Sequence, residues 1–238
     1  MKLIFVRHCE PDYSIDSLTE KGWKEAKCLN TRVKNWNNIT AFYASPLGRA
    51  QATAQEALKG TDRQFVTLDF MQEFYVRIQD PDTGSKRIPW DLMPEYWRKQ
   101  PELFDKDLWT DTKIYQNTGL KEEFINICTN FDNLLSEYGY TKNDNIYKVN
   151  HDNDSTTLVF FCHLGVSFVV IGHLLGISPA LLWHTFFVAP SSVTIVTSEE
   201  RINNNVNFRV QTLGDTRHLY ANGEPISSSG LFSDCFQK

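Results

Sequence analysis

Arg7 and His8 stand together at the end of the apolar run Leu3-Ile4-Phe5-Val6, Arg49 closes the stretch Ser45-Pro46-Leu47-Gly48-Arg49, and His163 follows the apolar run Thr156 to Cys162. Two guanidiniums and two imidazoles are what phosphate chemistry asks for. Each guanidinium presents a planar fork of N–H donors to phosphate oxygens. His8 beside two such cations is held neutral, because nearby positive charge disfavours imidazolium, and a neutral imidazole is a nucleophile. His163 can donate a hydrogen bond to charge developing on the phosphoryl group. The arginines can do the electrostatic work that a metal does in metal-assisted phosphoryl chemistry, so the set calls for no metal and no cofactor. A lone Arg-His pair after one strand is a weak signal. The weight lies in three strand ends that carry these residues together.

Those ends come from an alternating pattern. Leu3 to Val6 reads as a short buried strand. Thr19 is placed to cap a helix that runs to about Val33. Thr40 to Ala44 is a second strand, and Ser45-Pro46 reads as a helix start, with Ser45 as cap and Pro46 in the first helical position. The helix continues to about Leu58, and Phe65 to Leu68 is a third strand. Thr156 to Cys162 is the strongest strand, followed by an apolar helix from about Val166 to Leu175. Val193–Thr197 and Val206–Val210 are two more strands joined through a polar turn. This alternation predicts an α/β protein, a three-layer α/β/α sandwich with a mostly parallel sheet. In such a sheet ligands bind beyond the carboxyl ends of the strands, which brings Arg7, His8, Arg49 and His163 to one edge.

Between about residues 75 and 154 the character changes. Trp90, Trp97 and Trp109 occur there with Pro81, Pro89, Pro94 and Pro101, and helical periodicity is clear only near Leu120 to Tyr138. We read it as a mainly helical lid inserted into one domain of residues 1–238, whose core is about 1–74 and 155–238. Asn143 to Ser155, rich in Asn and Asp, reads as the return loop.

Bulk properties narrow the classes. The chain has 238 residues, 41% apolar and 22% charged, with a formal charge of −5, which disfavours a general affinity for nucleic acid or acidic membrane. An anionic substrate therefore needs a local cluster of positive charge, which the strand ends supply. The opening apolar run is too short for a signal peptide, and no run approaches a membrane span. Five scattered cysteines without a CxxC pair point to reduced thiols and a cytoplasmic location.

The combined motifs resemble the histidine phosphatase superfamily, also called phosphoglycerate mutase-like. Its Arg-His-Gly-Glu is similar to Arg7-His8-Cys9-Glu10, and its Leu-Thr-x-x-Gly to Leu18-Thr19-Glu20-Lys21-Gly22. Its Ser-Pro-x-x-Arg-Ala-x-x-Thr-Ala is kept from Ser45 to Ala54, and its Ser-His-Gly corresponds to Cys162-His163-Leu164. The resemblance implies that His8 is the phosphorylated nucleophile and that Arg7, Arg49 and His163 complete the phosphate pocket. It also implies a general acid after the third strand. Glu73 in Met71-Gln72-Glu73 fits that pattern and ranks above Glu10, which sits on the first loop.

The expected activity is metal-independent hydrolysis of a small phosphomonoester through phospho-His8. Two alternatives stay open: a phosphoglycerate mutase-type transfer, or a catalytically weak phosphate-binding regulatory protein. Cys9 and Leu164 replace two glycines of the family pattern, and either can narrow the pocket. Arg77, Lys86 and Arg87 offer a second anion site or a solvated loop face. The segment Asn150-His151-Asp152-Asn153-Asp154 lacks the Gly and distal Glu of a calcium loop, and His218 reads as structural.

Overall fold

The computed structural model describes residues 1–150 and 155–231. Most of the Asn150–Asp154 segment, and the last residues of the expected core, lie outside the described residues. The strands in chain order are β1 (Lys2–Arg7), β2 (Pro11–Asp12), β3 (Ser17–Leu18), β4 (Ala41–Ala44), β5 (Val66–Thr67), β6 (Ile78–Gln79) and β7 (Lys86–Arg87). They continue with β8 (Tyr140–Asn143), β9 (Ile146–Val149), β10 (Thr157–Cys162), β11 (Val193–Ile202) and β12 (Asn205–Asp215). The helices are α1 (Glu20–Lys34), α2 (Gly48–Leu58), α3 (Pro94–Trp97), α4 (Leu120–Glu137), α5 (Leu164–Leu175), α6 (Pro179–Thr185) and α7 (Arg217–Ala221).

Eight strands form the main sheet in the order β5-β4-β10-β1-β11-β12-β9-β8. The α/β class holds, but the sheet is mixed rather than mostly parallel. β5, β4, β10 and β1 run parallel, whereas β11, β12, β9 and β8 add antiparallel pairs. The parallel half is connected by helical crossovers; the antiparallel half is built from hairpins. β9 falls in the stretch read as a return loop. Its turn at Asp144 adopts a left-handed backbone (φ 55°), which the Asn- and Asp-rich sequence favours.

Side-chain alternation divides the core. Leu3 and Phe5 of β1 enter the cluster packed with α4 and α5, while Ile4 and Val6 enter the one packed with α1 and α2. Burial on both faces is why the parallel strands read as continuous apolar runs. Two sequence segments of the inserted stretch play different parts. α4, β8 and β9 join the main core and sheet. Residues 75–119 are mostly irregular, with α3 only four residues long, and are held by aromatic packing: the Trp109 ring lies 5.4 Å from that of Trp183 and 5.0 Å from that of Phe124.

Candidate active site

The three strands that carry the sequence-predicted residues are neighbours. In register, Arg7 of β1 lies beside Cys162 of β10, and Phe161 of β10 beside Ala44 of β4. The next residues in each chain, His8, His163 and Ser45, therefore emerge side by side at one sheet edge. His8 N donates to the Cys162 carbonyl at 2.8 Å, and Ser45 N to the Phe161 carbonyl at 2.9 Å, which carries the ladder one residue past each strand. The His8 and His163 rings come to 5.1 Å between centroids.

His8 is nearly fully buried, with Nδ1 2.7 Å from the Cys9 carbonyl oxygen. A carbonyl only accepts, so Nδ1 carries the proton. Burial, then the Arg7 charge, holds the imidazole well below its usual protonation range. Nε2 is thus left with a free lone pair. His163 is also held well below its usual range, by burial and then by His8, Arg49 and Arg7. Its Nε2 lies 2.7 Å from Ser45 Oγ. Leu47 N donates to the same hydroxyl at 3.3 Å, and His163 Nε2 is the one acceptor among the described residues for the Ser45 proton. That puts the His163 proton on Nδ1, a buried atom with no partner among the described residues.

The arginines are fixed from behind. Arg7 Nη1 donates to the Val188 carbonyl at 2.6 Å, and Arg49 Nη1 to Asp16 Oδ1 at 2.6 Å. In both, Nε is buried without a partner among the described residues. Three buried N–H donors, Arg7 Nε, Arg49 Nε and His163 Nδ1, are thus left unsatisfied in the side chains grouped with His8. Buried donors rarely go unpaired unless a ligand pairs them.

Glu73 lies at the start of α5. Its Oε1 accepts from Phe74 N at 2.9 Å and Val166 N at 3.0 Å, and its Oε2 from Gly165 N at 3.3 Å. These bonds favour the carboxylate, but burial outweighs them and raises the group above the usual carboxylate range. Its closeness to α5 depends on Gly165. A Cβ there would meet Glu73 Oε1 and the Trp90 ring at 2.6 Å each. Arg7, His8, Arg49 and Glu73 open into one cavity of about 710 Å³.

The family model of the histidine phosphatase superfamily, branch 1, matches residues 3–124. The chain belongs to the histidine phosphatase superfamily. No curated protein sequence matches it, but solved structures share its fold. A mutant phosphoserine phosphatase from Entamoeba histolytica, in complex with phosphoserine, is 21% identical with a TM-score of 0.59, over 92% of this chain and 98% of that one. The mycobacterial glucosyl-3-phosphoglycerate phosphatase is 16% identical with a TM-score of 0.58, over 90% and 98%. The alpha-ribazole phosphatase from Shigella flexneri is 20% identical with a TM-score of 0.56, over 91% and 97%. At these identities the likeness is one of fold.

Against the superfamily pattern, the two lost glycines have different outcomes. Cys9 is fully buried among Leu18, Ala26 and Ala52, away from the cavity. Leu164 does line the cavity, while the close approach of backbone to carboxylate is made by Gly165, one residue on. Glu10 does not line the cavity. Its carboxylate accepts from Thr19 Oγ1 at 2.9 Å and Ser227 Oγ at 2.5 Å, tying down the C-terminal segment. Glu10 N donates to Glu25 Oε2 at 2.8 Å, and burial pushes that fully buried Glu25 carboxyl up to about 7. Arg77 lines the cavity; Arg87 is taken up by Asp80 at 2.6 Å and Asp91 at 3.0 Å, and Lys86 is exposed outside the cavity lining. His218 is buried with Nε2 2.8 Å from Ser191 Oγ, away from the cavity.

Two residues of the site escaped the sequence reading. Ser45 does not cap α2, whose N-cap position is Leu47; its hydroxyl is spent on His163. Asp16 takes up the start of α2 instead, with Oδ2 accepting from Gly48 N at 2.7 Å and Oδ1 from Arg49. Asp16 has a left-handed backbone (φ 45°), and a Cβ on Gly48 would lie 2.1 Å from its carbonyl oxygen. This strained, close approach is held by the two bonds of its carboxylate.

Proposed function

We propose that the protein hydrolyses a phosphomonoester in two steps through a phosphohistidine on His8. The observation that carries this reading is the group of three unsatisfied buried donors, on Arg7, Arg49 and His163, beside a neutral imidazole with a free Nε2. A phosphoryl group brings three non-bridging oxygens to match them. His8 Nε2 attacks phosphorus, the P–N bond forms and the bond to the ester oxygen breaks. Glu73, whose carboxyl burial raises above the usual carboxylate range, gives its proton to that oxygen. As a carboxylate it then takes a proton from water, which attacks phosphorus and breaks the P–N bond to release inorganic phosphate and neutral His8. The Cys9 carbonyl holds the tautomer throughout, and the guanidiniums stabilise charge on the equatorial oxygens. The solved phosphatases of the same fold support the reading.

The test is hydrolysis of p-nitrophenyl phosphate in excess EDTA by wild type and His8→Ala, with labelled phosphoenzyme trapped in alkali because phosphohistidine is acid-labile. Activity that survives the chelator, vanishes in the variant and leaves an alkali-stable label is the expected result. An unlabelled wild type together with an active His8→Ala would end the mechanism.

A further inference from the structure

The cavity has two unlike walls. One is polar and formed by Arg7, His8, Arg49 and Glu73. The other is aromatic and apolar, formed by Tyr75, Ile88, Trp90, Trp183, Phe186 and Phe187. Three of these leave much of a large side chain open to solvent: Tyr75 at 58%, Phe186 at 46% and Phe187 at 37%. Apolar surface grouped at a concave site marks a place where an apolar partner is buried. Here the grouping is continuous with the phosphate-facing residues, so the partner is attached to the phosphate.

Charge in the rest of the cavity points the same way. Outside the phosphate-facing set, the charged lining residues are Arg77 and Asp91. Asp91 already receives Arg87 Nη1 at 3.0 Å, and Arg77 Nη1 donates to the Tyr75 and Val76 carbonyls. His184, its ring tilted 5.2 Å from that of Trp97 and Nδ1 2.7 Å from the Ala180 carbonyl, is kept neutral by burial. An alcohol bearing an ammonium finds no uncommitted carboxylate here among the described residues.

We infer that the preferred substrate is the phosphomonoester of a bulky, aromatic-bearing alcohol, its hydrocarbon part buried against Tyr75, Trp90, Phe186 and Phe187. The inference rests on the phosphatase reading above. Hydrolysis releases the apolar alcohol and inorganic phosphate.

The experiment compares 2-phenylethyl phosphate with ethyl phosphate, whose ester oxygens have similar intrinsic reactivity. The expected kcat/KM ratio is about 10- to 100-fold in favour of the aromatic ester, the effect of burying one phenyl group. In the double variant Tyr75→Ala with Phe186→Ala the ratio is expected to fall to about a tenth of that. A ratio taken within one protein does not depend on the fraction folded. Hydrolysis of both esters at equal kcat/KM, or a stronger preference for O-phosphoserine, would overturn the substrate class and leave the phosphatase intact. A ratio unchanged in the double variant would overturn the assigned wall. Hydrolysis of neither ester, nor of p-nitrophenyl phosphate, would overturn both readings.

Discussion

The two walls of the cavity are built by opposite means. Arg7 ends β1, His8 and His163 follow directly on the adjacent parallel strands β1 and β10, and Arg49 stands in the first turn of α2; all four are buried, and each is fixed by a backbone carbonyl, a carboxylate or the Ser45 hydroxyl. The aromatic wall comes largely from irregular chain between β5 and α4 and after α6, and much of it is exposed. Chemistry needs positions fixed to a fraction of an ångström, which a packed sheet provides. Selectivity for an apolar group needs area more than aim, and loops pinned by ring packing suffice.

The contrast breaks most sharply at His8. His8→Ala is expected to lose activity by about 10⁴-fold or more, because no neighbouring group replaces the nucleophile; initial rates with any accepted ester measure it. Glu73→Gln comes next, with a loss of about 10²- to 10⁴-fold for alkyl esters. The loss should be smaller for p-nitrophenyl phosphate, whose leaving oxygen needs little protonation. Since burial raises Glu73 and the acid acts protonated, alkyl-ester kcat/KM falls as pH rises through that raised value. The variant should lose this alkaline limb, and a pH–rate profile shows whether it does.

Asp16→Asn is expected to cost about tenfold, because Arg49 loses its opposing charge while its fork remains. Weaker inhibition by inorganic phosphate should accompany the loss; unchanged inhibition would remove Asp16 from the site. The last effect is on stability rather than activity, at the support beneath the first loop. Glu25 binds its proton more tightly folded than unfolded, so its contribution is full below the ordinary carboxylate range and is lost as pH rises to about 7. Glu25→Gln has no such loss. Its unfolding free energy relative to wild type should improve by about 1.4 kcal/mol per pH unit across that window, in urea titrations at several pH values.

What the sequence disclosed divides along the same line. Arg7, His8 and His163 were legible because each directly follows a continuous apolar run, and such runs mark strands buried on both faces. Glu73 needed the family pattern. Asp16 was hidden because its partner Arg49 is far along the chain and joined to it only through the fold. Ser45-Pro46 carries real helix-start propensity, yet tertiary structure overrides it by giving the hydroxyl to His163. The antiparallel half was half-visible. The β11–β12 hairpin showed its apolar cores but not its full length, since its outer residues are polar and exposed. β8 and β9 are short, and the polar residues in and around their turn resemble a loop.

Gly165 joins the two walls. The room it leaves is shared by the Glu73 carboxylate and the Trp90 ring, each 2.6 Å from where a methyl would stand. A lineage that reshapes Trp90 therefore leans on Glu73 as well, and one that enlarges residue 165 disturbs both at once. Adaptation to new esters has freer ground at Tyr75 and Phe186, whose exposed rings lie away from this joint.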